Sequence, residues 1–187
     1  MPHINVDENL PGIRALMAFS PQTAEPMSKL ANLLLRNNKD GLSMADSELI
    51  ASYVSYLNNC FYCHQSHGAI AACYLDGNNE LVDQVKKDYE SAEISEKLKA
   101  LLAIAGSVQK GGKHVTSEQI EKARKLGASD KEIHDTVLIA AAFCMFNRYV
   151  DGLAAYTPDD LLTYELRAKQ VAEKGYGNHI YTEKQPV

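Results

Sequence analysis

The chain has 187 residues, of which 45% are hydrophobic, and its formal net charge is -5. This length is typical of one domain with a substantial core. The acidic balance argues against nucleic acid or an anionic membrane surface as a partner, because either would favour a basic face. No apolar run approaches the roughly 20 residues of a spanning helix, and the first residues lack a signal-peptide pattern. We therefore expect a cytoplasmic protein without a nucleic-acid or membrane partner.

Helical periodicity dominates the chain, and no segment shows convincing strand alternation or a two-residue hairpin signal. Polar caps, glycines and apolar stripes predict helices at about 26–38, 43–57, 60–75, 80–89, 95–110, 117–126 and 130–154. A last helix is expected to start at TPDD, residues 157–160, and to end at KGYGNH, which begins at residue 174. Thr116 with Gln119 and Ser129 with Glu132 fit the capping box. Gly127 suits the end of the helix between them. The sequence therefore predicts an all-α fold.

An internal echo is found when the stretch 46–68 is laid over 130–152. Four positions are identical in the two copies: Asp46 and Asp130, Glu48 and Glu132, Cys60 and Cys144, Gly68 and Gly152. We predict a single domain over 1–187 with a duplicated helical unit, in three parts: a first unit at about 26–75, a second at about 95–155, and a C-terminal helix and tail at 158–187. Asn147 and Asp151 replace Cys63 and His67 in the second copy, so only the first copy retains the full reactive set.

The stretch NNCFYCHQSHGAIA, residues 58–71, concentrates the reactive side chains. On a helix, Cys60, Cys63 and His67 share one face, and His64 lies near Cys60 one turn later. We expect Cys60 in the first helical turn, where unpaired N–H groups and the helix dipole would lower its thiol pKa. A thiolate beside a second thiol and a base is what dithiol redox chemistry requires.

Glu48 lies twelve residues before Cys60 and would be roughly 18 Å away from it on an unbroken helix. If the chain instead turns back at Asn58 and Asn59, the two helices run antiparallel and His67 reaches the level of Glu48. The carboxylate would then orient and charge the imidazole. The spacing therefore allows a proton relay from Glu48 through His67 to a cysteine.

On residues alone, other chemistries remain open for this stretch. A metal site would draw on three close ligands and one distant one: Cys60, Cys63, His67 and either Cys73 or Cys144. No second CxxC or HxxxH motif supports such a site. The same stretch also satisfies the CxxCH haem-attachment pattern. Cys73 and Cys144 lie in apolar helical stretches, and we interpret them as buried small hydrophobic residues.

One motif resembles the alkylhydroperoxidase AhpD-like branch of the carboxymuconolactone decarboxylase family. It consists of Glu48, eleven residues, the CFYC motif from Cys60 to Cys63, three residues and His67. The segments LPGI, LSMADSELIASYVSYLNNCFYCHQSHGAIA and NRYVDGLA are similar as well, most of all to the peroxidase-related subgroup. The resemblance implies an all-α fold, a trimer or hexamer, and reduction of hydroperoxides by the dithiol without a cofactor or metal. AhpD itself has a histidine where this chain has Tyr62, so the resemblance does not extend to AhpD's own substrate or its lipoyl-protein reductant.

By this resemblance, Cys63 attacks the peroxide, Cys60 resolves the product as a disulfide, and Glu48 and His67 move the proton. The expected partners are a hydroperoxide substrate, a dithiol reductant and further copies of the chain, for which apolar stretches such as VLIAAAFCMF provide surface. Three other functions remain as alternatives. One is a cofactor-free lyase or isomerase of the carboxymuconolactone decarboxylase type, and another is a redox sensor without turnover. The third is c-type haem attachment, which a colourless pure protein would exclude.

Overall fold

The computed structural model of the chain describes residues 1–36 and 41–177. Within these ranges the chain is all helical and contains no strand, which confirms the predicted fold class. The described residues form nine α-helices: α1 Ile13–Phe19, α2 Pro21–Arg36, α3 Met44–Leu57, α4 Phe61–Tyr74, α5 Asn79–Asp88, α6 Glu96–Lys110, α7 Ser117–Lys125, α8 Asp130–Gly152 and α9 Leu161–Lys174. A short 3₁₀ turn at Gly112–His114 precedes α7. None of these helices is long and apolar enough to cross a membrane.

Polar side chains begin most of these helices at the predicted places. The hydroxyls of Ser43 and Ser95 accept backbone N–H groups at the starts of α3 and α6. The two predicted capping boxes, which begin at Thr116 and Ser129, are both present. Each cap satisfies N–H groups that the helix leaves unpaired and is worth about 1 kcal/mol. Gly127 follows α7 with a φ of 89°, as a helix-ending glycine does.

The helices near the two ends of the chain differ most from the prediction. The sequence analysis misses α1, because its seven residues are too few to display a clear period. α2 begins at Pro21 and not at Pro26, since Pro21 itself takes the first helical position. The predicted end of that helix at Asn38 lies outside the described residues. α9 begins at Leu161, later than predicted, where the Asp160 side chain caps it.

α3 is the central helix of the fold. Its residues from Ser47 to Ser55 are all buried, and it packs against α2, α4, α5, α6 and α8. Helices buried on every side are apolar around their whole circumference, and Leu49 and Ile50 follow this rule. Glu48 does not, because it is a carboxylate with 0% exposure in the core. A buried charge of this kind needs close polar partners.

α4 returns antiparallel to α3 after a tight turn. Asn59 in this turn has a φ of 58°, a left-handed conformation that asparagine tolerates better than most residues. The Ser52 hydroxyl of α3 donates to a carbonyl of α4 at 2.9 Å. Gly68 lets the helices approach closely, because a Cβ there would lie 3.2 Å from Ser52 Oγ. The chain reversal expected at Asn58 and Asn59 is confirmed.

The two copies of the internal echo fold differently. The first copy is divided between α3 and α4, whereas the second forms the single uninterrupted helix α8. Cys60 consequently lies at a turn, while its counterpart Cys144 lies within a helix. The copies share a periodic pattern, but the second copy is not a second hairpin.

Candidate functional site

The reactive stretch begins at the turn between α3 and α4. Cys60 is the cap residue immediately before α4, with φ -81° and ψ 94°, and its N–H donates to the Ser55 carbonyl at 3.0 Å. Cys63 lies in the first turn of α4. The prediction that Cys60 itself lies in that turn is wrong by one position, because the chain leaves the left-handed Asn59 in an extended conformation.

The two cysteines of this stretch form a close, buried pair. Their sulfur atoms are 2.6 Å apart, and both thiols are free. Cys60 is 0% exposed and Cys63 is 5% exposed. They pack with apolar and aromatic residues that include Leu16, Tyr62 and Tyr164. Since sulfur atoms in a disulfide are about 2.05 Å apart, oxidation of the pair, with loss of two electrons and two protons, would need only a small displacement.

The Cys60 thiol is held in its protonated form. Its hydrogen bond to Cys63 and its burial raise its pKa well above the ordinary value, and the charge of Asp151 acts in the same direction. The expected lowering of the Cys60 pKa by the helix dipole is therefore wrong, because the hydrogen bond to Cys63, burial and negative neighbours outweigh the dipole. Cys60 is the donor in the hydrogen bond between the two thiols.

Glu48 and His67 meet across the α3–α4 hairpin. Glu48 Oε2 lies 2.7 Å from His67 Nδ1, so the contact expected from an antiparallel turn is present. The Phe143 ring packs edge-on against the imidazole with 4.5 Å between ring centroids. Because Nδ1 faces the carboxylate, Nε2 is the ring atom left to exchange a proton with a reacting group.

Tyr176 completes this group, and the sequence analysis misses it. Its hydroxyl donates to Glu48 Oε1 at 2.6 Å and lies 3.3 Å from His67 Nδ1. Its ring stacks on the imidazole with 5.9 Å between centroids. Burial raises the pKa of the phenol well above its ordinary value, and the Glu48 charge adds to the rise, so Tyr176 remains a donor. Both carboxylate oxygens of the buried Glu48 are therefore hydrogen-bonded.

The segment after α9 carries Tyr176 into the core. Gly175 ends the helix with a φ of 80°, a conformation that glycine adopts without strain. Asn32 of α2 then holds the Tyr176 backbone at two points. Its amide donates to the Tyr176 carbonyl at 2.8 Å, and its oxygen accepts from the Tyr176 N–H at 2.9 Å. The signal in the sequence was the tyrosine between two glycines, which favours a tight passage of the chain over a continued helix.

A small cavity of about 80 Å³ lies beside the imidazole. Its polar lining comes from α1, α2, α4, α9 and the segment after α9: Arg14, Ser28, Tyr62, Ser66, His67, Arg167 and Tyr176. This volume accommodates a small organic group or two to three water molecules at about 30 Å³ each. The two arginines escape sequence analysis because each is an isolated charge outside any motif.

His64 takes no part in the dithiol. Its ring packs edge-on against Tyr56 and Phe61. Burial lowers its pKa to about 4, and the Lys86 charge acts in the same direction. His64 is therefore neutral at neutral pH and is a packing residue on the outer side of α4.

The two remaining cysteines differ from each other. Cys73 is exposed, so its interpretation as a buried residue is wrong; it lies near the end of α4, where it lines a cavity beside α9. Cys144 is partly buried, and the Asn58 amide lies 3.6 Å from its sulfur. Among the residues that the structure describes, no three His, Cys, Asp or Glu side chains are arranged to hold a metal ion.

Polar residues of α8 support the turn that carries the dithiol. Asn147 accepts a hydrogen bond from Asn58 Nδ2 at 2.8 Å and donates one to Ser55 Oγ at 3.0 Å. Asp151, one turn further along α8, interacts with the Cys60 thiol. The counterparts of Cys63 and His67 in the second copy of the echo thus brace the first copy.

The chain is similar to a sequence family and to several solved structures. Residues 75–157 match the Carboxymuconolactone decarboxylase family. An uncharacterised peroxidase-related protein from a Silicibacter species has a TM-score of 0.73 and 25% identity, with 83% of this chain and 78% of that chain covered. An uncharacterised peroxidase-related protein from Ralstonia eutropha, described as an alkylhydroperoxidase AhpD core, has a TM-score of 0.73 and 26% identity, with 86% and 82% covered.

A third structure shows the fold alone, at 22% identity and a TM-score of 0.69, with 86% of this chain and 100% of that chain covered. It is a protein of unknown function from Agrobacterium tumefaciens, described as a candidate AhpD antioxidant defence protein. No curated protein matches the chain. The family match begins after His67, so it does not bear on the dithiol. Together, the family match and these structures confirm the resemblance seen in the sequence: the chain is similar to AhpD-like, peroxidase-related proteins and, over residues 75–157, to the carboxymuconolactone decarboxylase family.

Proposed function

We propose that the protein is a thiol-dependent hydroperoxide reductase in which Cys63 and Cys60 are oxidised and reduced in turn. One observation carries the proposal: two sulfur atoms 2.6 Å apart lie one helical turn before an imidazole that contacts a buried carboxylate. This is the arrangement that a dithiol with its own base requires. The similarity to two peroxidase-related proteins supports the same reaction class.

The cycle begins when Cys63 loses its proton. His67, one turn further along α4, accepts it, and the Glu48 carboxylate balances the charge of the imidazolium. The Cys63 thiolate then attacks the terminal oxygen of the hydroperoxide, and the O–O bond breaks. Cys63 becomes a sulfenic acid, and the released alkoxide takes the proton from His67 and leaves as an alcohol.

Cys60 completes the oxidative half of the cycle. Its sulfur attacks the sulfenic acid of Cys63, a disulfide forms, and the hydroxide that leaves takes the Cys60 proton and becomes water. A dithiol reductant then supplies two electrons and two protons and is itself oxidised to a disulfide. The cycle uses no cofactor and no metal. Since the cytoplasm maintains such thiol donors, we propose that compartment for the protein.

We further propose that the chain forms a homo-oligomer, as a trimer or hexamer. Leu138 and Met145 of α8 are 38% and 47% exposed, and Ala141 lies between them on the same exposed face. Such an apolar stripe suits contact with another copy of the chain. Light scattering after gel filtration measures the mass, and a monomer at micromolar concentration would contradict this part of the proposal.

Titration of free thiols before and after one equivalent of cumene hydroperoxide tests the proposed reaction. We expect the unmodified protein to lose two thiols. A sulfenic acid should be trapped in Cys60→Ser and not in Cys63→Ser, which identifies the attacking cysteine. Cys73→Ser is the matched control, because Cys73 is exposed and lies near the far end of α4; it should lose the same two thiols. Persistence of all thiols in excess peroxide would refute the proposal.

The family match favours one second candidate, a cofactor-free lyase or isomerase of the carboxymuconolactone decarboxylase type. His67 and Glu48 would then move a proton on the carbon skeleton of the substrate, and the cysteines would have no chemical role. The double variant Cys60→Ser with Cys63→Ser separates the two candidates. If the protein is such a lyase, the double variant retains turnover of the lyase substrate. If the protein is a peroxidase, the double variant loses turnover of the hydroperoxide.

A further inference from the structure

Two arginines line the cavity beside His67 without an acidic partner. Arg14 comes from α1 and Arg167 from α9, and none of the described residues that line the cavity is acidic. The Arg14 Nε atom is buried and has no hydrogen-bond partner within residues 1–36 and 41–177. Arg167 donates to Gln170, at a long 3.3 Å. The cavity therefore carries positive charge that the described part of the chain does not neutralise.

The two guanidinium groups act on each other and on the Tyr62 phenol. Burial lowers the pKa of Arg167, and the Arg14 charge lowers it further. Burial raises the pKa of Tyr62 to about 12, although both arginines oppose this rise. Charges shift one another's pKa values in this way only when they lie close together, so the two guanidinium groups and the phenol are near neighbours. Holding two cations there costs free energy, and an anion between them would remove that cost.

Close packing fixes the start of α1 on α4. Gly12 has a φ of 56°, and a Cβ at this position would lie 2.2 Å from Cε1 of the Tyr62 ring. The Gly12 N–H also donates to the Tyr156 carbonyl at 2.7 Å. Only glycine allows this contact. Arg14 follows two residues later, so its position in the cavity is built into the fold.

We propose that the cavity, called here the arginine cavity, binds the carboxylate of an anionic substrate between Arg14 and Arg167. Guanidinium groups recognise a carboxylate through two parallel N–H···O bonds. Apolar side chains that include Met17 and Ile70 line the rest of the cavity and suit a short, branched hydrocarbon beside the carboxylate. A volume of about 80 Å³ limits the occupant to a small molecule or one end of a larger one.

The arginine cavity also adjoins the reactive groups. His67 and Tyr62 line it, and Tyr62 directly precedes Cys63 in α4. A carboxylate held by the arginines would bring the other end of a small molecule to the imidazole. Resting on the proposed function, this makes the substrate a small carboxylate-bearing hydroperoxide. The anion site itself does not depend on that function.

The first experiment measures binding without turnover. Isothermal titration calorimetry with isovalerate and with isovaleramide compares an anion with a neutral molecule of the same shape. We expect the unmodified protein to bind isovalerate about 10- to 100-fold more tightly, the range for hydrogen bonds to charged groups. Arg14→Gln and Arg167→Gln should each remove this preference. Arg124→Gln, which breaks a surface pair with Asp130, is the matched control and should retain it.

The second experiment measures turnover of tert-butyl hydroperoxide and of its carboxylate analogue, β-hydroperoxyisovalerate. We expect kcat/KM to be about 10- to 100-fold higher for the anionic peroxide, and this ratio to collapse in Arg14→Gln and Arg167→Gln. Thermal unfolding of each variant verifies that it is folded, and the comparison of two ligands on the unmodified protein does not depend on any variant.

The outcomes separate the two proposals. Binding of isovalerate that depends on the arginines, without any consumption of peroxide, retains the anion site and rejects the proposed function. Peroxide turnover that is equal for the two hydroperoxides, with no preference for isovalerate, rejects the anion site and retains the proposed function. Tighter binding of inorganic phosphate than of isovalerate would overturn the assignment to a carboxylate.

Discussion

Glu48 and His67 in the first copy of the internal echo are separated by nineteen residues, and so are Glu132 and Asp151 in the second copy. In the first copy the two side chains are 2.7 Å apart, because the turn at Asn59 folds α4 back on α3. In the second copy both residues lie on the uninterrupted helix α8, which separates them by roughly 28 Å at about 1.5 Å per residue. A separation of nineteen residues therefore brings the two side chains together in a hairpin and keeps them apart in a single helix.

The acidic residue of the second copy stabilises structure instead. Glu132 closes the capping box of its own helix and pairs with Lys97 at 2.6 Å. It remains partly solvated, whereas Glu48 is fully buried and depends on His67 and Tyr176. The comparison teaches that a single reversal of chain direction decides whether an acidic residue caps a helix or faces a base.

The largest difference between the two copies should be found at the cysteines. Under the proposed function, Cys63→Ser removes the attacking sulfur and should lower kcat/KM for cumene hydroperoxide by about 1000-fold or more. Cys144→Ser, in the second copy, should change it by about twofold at most. Steady-state assays with dithiothreitol as donor measure both. Equal losses in the two variants would contradict the distinct roles of the copies.

The paired acidic residues give the next largest contrast. Glu48→Gln preserves shape but removes the charge that supports His67, and we expect kcat/KM to fall about 100-fold. Glu132→Gln should leave kcat/KM unchanged and lower the free energy of unfolding by up to about 1 kcal/mol, because it removes the ion pair with Lys97 and a negative charge from the first turn of α8. Peroxidase assays and urea unfolding of both variants test the contrast. The reverse pattern would show that the roles are misassigned.

Tyr176 has no equivalent in the second copy, and its removal should have an intermediate effect. Tyr176→Phe deletes the hydroxyl that donates to Glu48 Oε1 and should lower kcat/KM about 10-fold, the size of one hydrogen bond to a charged group. Tyr149→Phe, which loses only a 3.4 Å contact with the Leu16 carbonyl, serves as the control. An unchanged rate in Tyr176→Phe would remove Tyr176 from the proton relay.

The turn that divides the first copy can be weakened directly. Asn59→Ala places a poorly suited residue in the left-handed conformation and should lower the free energy of unfolding by about 1 kcal/mol. Asn59→Gly is the matched variant, because glycine adopts this conformation freely and should preserve stability. Urea unfolding followed by circular dichroism measures both. If the two variants are equally stable, the left-handed backbone conformation at residue 59 does not contribute to the difference in stability that we expect.

The smallest expected effect is the pH dependence of the protein's thermal stability. Burial disfavours the charged form of His64 and lowers its pKa from the ordinary 6.5 to about 4 in the folded protein. Between these values the unfolded chain binds a proton that the folded chain does not, so acid lowers stability. From neutral pH to about pH 5, Tm should therefore fall more in the unmodified protein than in His64→Phe. His134→Phe, at an exposed site, should follow the unmodified protein; identical slopes in all three would reject the burial argument.

The parts of the fold that were predictable are those set by local signals. Apart from α4, the helices from α3 to α8 begin at polar side-chain caps that are legible in short windows of sequence. The contact between Glu48 and His67 was predictable too. A chain reversal at Asn58 and Asn59 makes the two helices antiparallel, and the number of residues on each side of the turn then places the two side chains at the same level. The caps at Ser43 and Ser129 and the reversal at Asn59 are the clearest examples.

The parts that were not predictable depend on distant segments. Tyr176, Arg14 and Arg167 reach the site from the two ends of the chain, and no local pattern connects them with α4. The rise in the Cys60 pKa comes from its hydrogen bond to Cys63, which is local, and from burial by surrounding helices, which the sequence of the turn does not display. Exposure of Cys73 likewise depends on which helices cover α4.

The distance along the chain between the hairpin and Tyr176 has a consequence for biosynthesis. Tyr176 lies 109 residues after His67, and a ribosome adds about 5–20 residues per second. The α3–α4 hairpin therefore emerges roughly 5 to 20 s before the tyrosine and α9 can cover it. During translation the two thiols are open to oxidants, and the nascent protein depends on the reducing power of its surroundings until the last helix docks.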